Sequence, residues 1–242
     1  MTASSENPFH RSEILFGKSA MEKLRDSRVL LAGAGGVGGY IAEALVRGGI
    51  GHLHVYDPDL VHCTNLNRQI LALESNLGEP KTQLLAQRLK AINPRLDIAV
   101  YAEALTAENI PQILETGDFD YVADAIDSIN DKCFLLARVY DLQIPVISAM
   151  GAGCRRDPSL VQYSDISKTH SCPLAKNVRT KLKKEYNITR GIPCVFSSES
   201  NPAAVIPGAA GERPTIGSSS FMPGIFGLFM AGKIINDLAN KS

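Results

Sequence analysis

The stretch Arg28-Val-Leu-Leu-Ala-Gly-Ala-Gly-Gly-Val-Gly-Gly39 decides the fold. Its first five residues are mainly aliphatic, which predicts a short buried strand, Arg28–Ala32. Five glycines follow within the next seven residues, and residues 40–46 then have the composition of a helix. A strand that turns through glycines into a helix lets the backbone approach a phosphate at the positive end of that helix. The candidate phosphate-binding residues are therefore Gly33, Gly35, Gly36 and Gly38.

The alternation of strand and helix continues on the carboxyl side of this unit. Further strands are predicted at His52–Tyr56, Asp97–Tyr101, 120–124 and 144–148, and helices at Lys81–Ile92 and 131–140. Strands joined by helical crossovers form a mostly parallel sheet with both faces covered. The predicted fold class is therefore α/β, a Rossmann-like, doubly wound sheet.

The pattern changes after about Gly151. Short strands at 160–163 and 194–197 and a last helix at 222–240 predict a smaller C-terminal antiparallel extension and helix. Three prolines and several glycines between 198 and 220 disfavour regular structure, so a mobile loop is expected there. We divide the chain into a nucleotide-binding domain, 1–150, and a substrate-binding extension of the same fold, 151–242.

Composition excludes several classes of protein. The 242 residues carry 25 basic and 25 acidic side chains and are 45% hydrophobic, as in a soluble globular protein rather than a disordered chain or a polycation. The five cysteines are scattered and form no C-x-x-C pair, which favours reduced thiols and a cytoplasmic location. Residues 1–8 lack the pattern of a secretory signal, and the longest apolar run, 221–235, is too short and too broken to span a membrane.

A second motif follows the predicted strand His52–Tyr56. Asp57 lies 19 residues beyond Gly38, where a carboxylate can bind the hydroxyls of a ribose. To this point, a dinucleotide and a mononucleotide are equally compatible with the sequence. The segment that separates them is Asp57-Pro-Asp-Leu-Val-His-Cys-Thr-Asn-Leu-Asn-Arg-Gln69, followed by Lys81 and by Asp124-Ala-Ile-Asp127. An NAD-binding protein has no need of these residues.

This set of motifs resembles the adenylating superfamily of ubiquitin-activating enzymes and bacterial activators of sulfur-carrier proteins, which use ATP to make an acyl adenylate. The resemblance implies that Asp57 holds the ribose, that Asp59 also belongs to the nucleotide-binding residues, and that Asn65 and Arg68 contact phosphates. It further implies that Lys81 contacts the β- and γ-phosphates and that Asp127 binds Mg²⁺. The chemistry agrees, because attack on the α-phosphate requires cations on the triphosphate and a carboxylate for the metal. Asp127 could instead cap the following helix.

The resemblance also implies a homodimer. Members of the superfamily have an Arg-Tyr-x-Arg-Gln segment whose second arginine reaches the γ-phosphate of the neighbouring subunit. The corresponding segment here is Pro8-Phe-His-Arg-Ser12, so Arg11 takes the position of that arginine. The first arginine and the glutamine are missing, which makes this match looser than the others.

The second half of the chain indicates a branch of the superfamily. Activators of carrier proteins commonly have two C-x-x-C pairs that bind zinc, and the ubiquitin-like chemistry needs an acceptor thiol; neither can be matched here, so no zinc is expected. Segments such as Gly151-Ala-Gly153, Asp165-Ile-Ser-Lys168 and Cys194-Val-Phe-Ser-Ser-Glu199 resemble the bacterial tRNA threonylcarbamoyladenosine dehydratases. That likeness covers 15–238. It implies activation of a carboxylate on a tRNA adenosine, followed by ring closure without an acyl-carrying thiol.

A basic helix supplies an independent indication of a tRNA partner. Residues 168–190 contain seven basic side chains and one acidic side chain, in a chain without net charge. Apolar residues recur every four positions from Leu174 to Tyr186, which predicts a helix with a buried stripe and exposed cations. The candidate contacts with tRNA phosphates are Lys176, Arg179, Lys183 and Lys184. A solvated charged face is the alternative explanation.

Three functions remain open from sequence alone. The favoured one is an ATP-dependent tRNA dehydratase. The second is an activator of a sulfur-carrier or ubiquitin-like protein, with a carrier protein or a cysteine-desulfurase-related protein as partner. The third is a noncatalytic or NAD-binding module, which Arg68, Lys81 and Asp127 disfavour.

Overall fold

A computed structural model describes residues 7–200, 204–206 and 215–241. Residues 1–6, on which most of the signal-peptide argument rests, lie outside this range. The helices are α1 (His10–Phe16), α2 (Lys18–Asp26), α3 (Gly38–Arg47), α4 (Lys81–Ile92), α5 (Ile110–Thr116), α6 (Ile129–Asp141), α7 (Pro173–Tyr186) and α8 (Met222–Ala239). The strands are β1 (Arg28–Ala32), β2 (His52–Tyr56), β3 (Asp97–Tyr101), β4 (Tyr121–Asp124), β5 (Val146–Ala149), β6 (Val161–Asp165), β7 (Pro193–Ser197), β8 (Val205–Ile206) and β9 (Thr215–Ile216).

The main sheet has seven strands in the order β3-β2-β1-β4-β5-β7-β6. All neighbouring pairs are parallel except β6 and β7, which are antiparallel. The predicted doubly wound α/β fold with an antiparallel C-terminal extension is therefore confirmed. From β1 the chain runs outward through β2 to the edge strand β3. It then returns to the centre at β4 and continues outward on the other side through β5, so the connections leave β1 and β4 in opposite directions. Ligands bind open α/β sheets at such a point, beyond the carboxyl ends of the strands.

Two hydrophobic layers cover the sheet. In β1, Val29 and Leu31 point into the layer formed with α3, α4 and α8, whereas Leu30 and Ala32 point into the layer formed with α5, α6 and α7. All four of these side chains are fully buried. Burial on both faces explains why β1 is a continuous aliphatic run and lacks the alternation of a half-exposed strand.

The second half of the chain extends the same sheet. β7 pairs with β5 through Ser148–Cys194 and Ala149–Val195. The basic segment forms α7, which buries Ala175, Val178 and Leu182 against the layer of α6, as its four-residue period predicts.

Several elements were not predicted from sequence. The helices α1, α2 and α5 have seven to nine residues, and they bury none, one and two of them respectively, so each has few apolar residues to mark it. The expectation of no regular structure in 198–220 is wrong in part, because β8 and β9 form an antiparallel pair there. Within the described residues, no helix combines the length and the apolar character needed to cross a membrane.

Candidate active site

The glycine turn joins β1 to α3, and steric limits explain its glycines. Gly33 has φ +95°, and an added Cβ would lie 2.9 Å from the carbonyl oxygen of Ala125. A Cβ on Gly38 would lie only 1.8 Å from the carbonyl oxygen of Gly33. The turn is therefore packed tightly against the segment that follows β4, and these two positions accept no side chain.

Asp57 lies directly beside this turn. Its Oδ2 accepts a hydrogen bond from the Ala34 backbone N–H at 2.6 Å, and its Oδ1 accepts one from the Asp59 N–H at 2.9 Å. The residue is buried, and burial raises its pKa, while Lys81 and the two backbone donors oppose the shift. Each carboxylate oxygen still has a free lone pair, so Asp57 can accept hydrogen bonds from a ribose.

Lys81 begins α4 and points toward the same edge. It is 3% exposed, and its Nζ lies 2.7 Å from Asp59 Oδ2 and 4.0 Å from Asp57 Oδ1. The Asp59 side chain is 60% exposed. The predicted phosphate-binding lysine is thus a buried cation whose nearest carboxylate is accessible to solvent, which leaves its charge available to an incoming anion.

Arg68 and Asn65 lie on the segment between β2 and α4. The Arg68 Cγ lies 3.6 Å from the position of a Cβ on Gly36, which places this arginine against the glycine turn. Its Nη1 donates to the carbonyl of Thr64 and to the side chain of Asn67. The buried Asn65 accepts the His62 N–H at 3.0 Å, so its oxygen shapes the loop, and its amide group can donate to a ligand.

Asp127 lies in the loop between β4 and α6 and is exposed. Ser128, and not Asp127, occupies the N-cap position of α6. The alternative of a helix cap is therefore wrong. β1, β2 and β4 are adjacent and parallel, so their carboxyl ends bring the glycine turn, Asp57 and Asp127 to one edge of the sheet.

A buried polar cluster behind this edge was missed from sequence. Lys132 and Asp124 are both fully buried, with Nζ 2.5 Å from Oδ2. The same Oδ2 accepts the Ser148 hydroxyl at 2.5 Å, and Lys132 also donates to Ser148 Oγ and to the carbonyl of Ala149. The position of Lys132 in the sequence could have indicated this cluster, because Lys132 falls three residues after Ile129 on the apolar stripe of α6.

A second missed residue is Gln69, which ends the quoted motif. It is 8% exposed, its Nε2 lies 3.9 Å from the position of a Cβ on Gly35, and its buried Oε1 has no hydrogen-bond partner among the described residues. Because buried polar atoms are nearly always hydrogen-bonded, this oxygen beside the glycine turn marks Gln69 as a further candidate site residue.

The cations of α7 differ in whether they are exposed at the surface or hydrogen-bonded within the protein. Lys176, Lys183 and Lys184 are exposed. Arg179 instead donates to the carbonyls of Ile166 and Thr169 and to the Thr169 hydroxyl, and so stabilises the chain that precedes the helix. The first turn of α7 lies beside the loop after β5, since Cys172 Sγ is 3.5 Å from the position of a Cβ on Gly151.

Arg11 lies at the other edge of the sheet. It is exposed on α1, and its neighbours Phe9 and Glu13 line a depression together with His52 and Asp97. His52 and Asp97 are the first residues of β2 and β3, so α1 lies near the amino ends of the strands. The structure therefore does not bring Arg11 to the glycine turn of its own chain.

The cysteines of the second half differ in their surroundings. Cys194 is buried in β7, and burial raises the pKa of its thiol to about 12, so it is a poor nucleophile. Cys154 lies in a turn with φ +58° and is only partly buried.

Known proteins resemble this chain in both sequence and structure. The ThiF family matches residues 9–242. The tRNA threonylcarbamoyladenosine dehydratase of Bacillus subtilis is 41% identical over 95% of this chain and 94% of its own. A crystal structure of the Escherichia coli tRNA N6-threonylcarbamoyladenosine dehydratase with ATP superposes with a TM-score of 0.88 at 33% identity, over 97% of this chain and 94% of that one.

A carrier-protein activator matches less of the chain. The sulfur carrier protein adenylyltransferase of Thermus thermophilus is 36% identical over 54% of this chain and 50% of its own. The similarity to this dehydratase thus covers nearly the whole chain, whereas the similarity to this activator covers about half of it.

Proposed function

Because the chain belongs to the ThiF family, we propose that it is an ATP-dependent tRNA modification enzyme. It adenylates the carboxylate of threonylcarbamoyladenosine in tRNA and promotes its cyclising dehydration. The observation that carries this proposal is the meeting of the glycine turn, Asp57, Lys81 and Asp127 at one edge of a chain that resembles named dehydratases over its whole length.

ATP binding follows from the site residues. The glycine turn accepts the phosphates, and Asp57 accepts the ribose hydroxyls with its free lone pairs. Arg68 lies against the turn, and Lys81 lies beside Asp57, with its Nζ 4.0 Å from Asp57 Oδ1, so both cations are placed to meet the triphosphate.

The chemistry divides into two steps. An oxygen of the substrate carboxylate attacks the α-phosphorus, the bond to the β-phosphate breaks, and pyrophosphate leaves. An atom of the same threonylcarbamoyl group then attacks the activated carbonyl, a ring closes, and AMP leaves with the former carboxylate oxygen. The substrate loses the elements of one water, and no enzyme thiol carries the acyl group. Arg68 and Lys81 lower the barrier of the first step by holding charge that moves onto pyrophosphate.

The donor set fits Mg²⁺. Magnesium in nucleotide sites is bound by one or two carboxylates together with substrate phosphates. Asp127 provides an exposed carboxylate at the edge where the phosphates would lie, and it is not used as a helix cap. When bound, the metal would neutralise charge on the phosphates. Asp127 would hold it, and Lys81 and Arg68 would bind other phosphate oxygens.

The active form is a homodimer in this proposal. Arg11 lies near the amino ends of the strands in its own chain, so it can act at a glycine turn only across a subunit interface. Two-fold dimers exchange such contacts reciprocally, which would give two equivalent sites.

The tRNA contacts α7 and the extension 151–242, while residues 1–150 bind ATP. Exposed Lys176, Lys183 and Lys184 offer charges to phosphates, and the first turn of α7 lies beside the active edge. An adenosine extruded from the tRNA could enter there. A tRNA substrate supports a cytoplasmic location.

The decisive experiment uses tRNA from cells that lack the enzyme. Incubation with the protein, ATP and Mg²⁺ should convert threonylcarbamoyladenosine to a nucleoside lighter by one water, as measured by mass spectrometry of the digested tRNA. Omission of ATP should prevent the change. An unchanged nucleoside under conditions in which ATP binds would refute the dehydratase function.

A carrier-protein activator is the second candidate, favoured by the similarity to the Thermus thermophilus adenylyltransferase. It predicts pyrophosphate exchange that depends on a small carrier protein with a free C-terminal carboxylate, and no dependence on tRNA. Exchange stimulated by modified tRNA alone would exclude it. A thermal shift with NAD and none with ATP would contradict both candidates.

A further inference from the structure

The fully buried Lys132–Asp124–Ser148 cluster has no role in the steps above. An isolated buried ion pair gains little stability, since the loss of hydration offsets the attraction between the charges. Here both charges are completely buried and each has further partners, with Ser148 and the carbonyl of Ala149 satisfying Lys132. A cluster this costly to bury suggests a need for fixed geometry.

The cluster joins the ends of two neighbouring strands. Asp124 is the last residue of β4, and Ser148 and Ala149 are the last residues of β5. Lys132 spans both from the second turn of α6. Its ammonium therefore fixes the beginning of α6 relative to the carboxyl edge of the sheet.

The other oxygen of Asp124 holds the loop that carries Asp127. Asp124 Oδ1 accepts the Ile126 N–H at 3.0 Å, while the Ala125 N–H donates to the carbonyl of Ala32 at 2.8 Å. The carbonyl of Ala125 lies against Gly33. Both residues immediately before Asp127 are thus held, one through the Asp124 carboxylate and one through the glycine turn.

We propose that Lys132 is a positioning residue that, through Asp124, sets the place of the Asp127 carboxylate for Mg²⁺ beside the nucleotide. This inference rests on the proposed function for the identity of the metal and of ATP. Lys132 itself touches neither. If its ammonium is removed, Asp124 loses its main partner, Ile126 loses a fixed acceptor, and the Asp127 loop is no longer held relative to the glycine turn.

Nucleotide binding tests this without any tRNA. Calorimetry would measure the affinity of ATP with Mg²⁺ and with EDTA, and the ratio of the two is the gain from the metal. In Lys132→Met this gain should fall at least tenfold, while the affinity in EDTA stays within about threefold of the wild type. Because the two residues act on one contact, Asp127→Asn added to Lys132→Met should cause no further loss.

Leu136→Ala is the matched control. Leu136 is also fully buried on α6, one turn further from the loop, and packs only in the apolar layer. It should lower the melting temperature and leave the gain from Mg²⁺ unchanged. Hydrogen exchange of the Ile126 amide should accelerate in Lys132→Met and not in Leu136→Ala.

If Lys132→Met does not fold, Ser148→Ala carries the test, since it keeps both charges and removes one hydrogen bond to Asp124. It should reduce the gain by about threefold. An unchanged gain in a folded Lys132 variant or in Ser148→Ala, or additive losses with Asp127→Asn, overturns the inference. A wild-type protein that fails to bind ATP contradicts the proposed function instead.

Discussion

The nucleotide edge and the basic helix α7 organise their functional residues in opposite ways. At the nucleotide edge, residues separated by nearly a hundred positions, from Gly33 to Asp127, meet because they follow three adjacent parallel strands. On α7, Lys176 and Lys184 are eight residues apart in sequence. They are separated by about 12 Å along the axis, from the rise of a helix.

The difference predicts how much function should be lost when a single side chain is removed from each region. A site that converges on one ligand makes every member act on the same few atoms, so single losses are large. Charges spread along a helix each meet a different phosphate of a long polyanion, and their effects are small and similar. Mutations in the two regions should therefore differ in size and in salt dependence.

The largest effect is expected for Lys81→Ala. Removing a buried cation that faces the triphosphate should lower turnover by about 10³-fold, comparable to the loss of one transition-state donor. Lys90→Ala, an exposed lysine in the last turn of the same helix, should leave turnover within about twofold. Single-turnover kinetics of the two variants would measure these turnover rates, provided that both variants have the same melting temperature. Equal, small effects would place Lys81 outside the site.

Asp127→Asn comes next, with an expected loss of about 10²-fold in turnover. The amide keeps the size of the side chain but loses the charge that binds the metal, so added Mg²⁺ should recover part of the rate. Asn130→Ala, also exposed and three residues further on, is the control. Near wild-type turnover in Asp127→Asn would remove this residue from the convergent site.

Arg11 tests whether the convergent site is complete in one chain. Arg11→Ala should reduce turnover by about thirtyfold, since one of several phosphate contacts is lost. Mixing it with the inactive Lys81→Ala protein should restore activity, because one of the two sites in a mixed dimer then has both residues. Failure to recover any activity, or a monomer in sedimentation, contradicts the action of Arg11 across the interface.

The smallest effect is expected on α7. Charge reversal of Lys183 and Lys184 to Glu should weaken tRNA binding by about tenfold and reduce the slope of its salt dependence by up to about two. ATP affinity should not change. Lys90→Glu controls for the change in net charge. A tRNA affinity with the same salt slope as the wild type would mean that the end of α7 is only a solvated face.

The elements of the sheet were predictable because their residues are locally informative. Runs such as Arg28–Ala32 are buried on both faces, and glycines mark the turn after them, so type and place follow from a few neighbouring residues. Prediction failed for α1, which buries no residue, and for β8 and β9, which are two residues each. α1 lies against the adjacent helix α2, and β8 pairs with β9. Elements this short or this exposed leave little pattern in their own composition.

The residues of the candidate site also differ in whether the sequence could predict their role. The glycine turn and Asp57 were predicted from their places after the first two strands, whereas Arg68, Lys81 and Asp127 were predicted from the resemblance to the adenylating superfamily. The nucleotide-binding roles of all of them stay predictions. It could not show that Arg179 is used within the protein or that Arg11 lies away from the glycine turn of its own chain. Both facts depend on contacts between distant segments.

What the sequence by itself determined is the α/β class, the seven strands of the main sheet and the chemistry of the residues at their ends, because these depend on local period and residue type. Only the tertiary structure decided that Lys132 enters the core to meet Asp124 and Ser148, and that Lys81 lies between Asp57 and Asp59. The physical reason is that the energy of a charge depends on burial and on the distance to its partners. Those quantities exist only once β4, β5 and α6 have packed together.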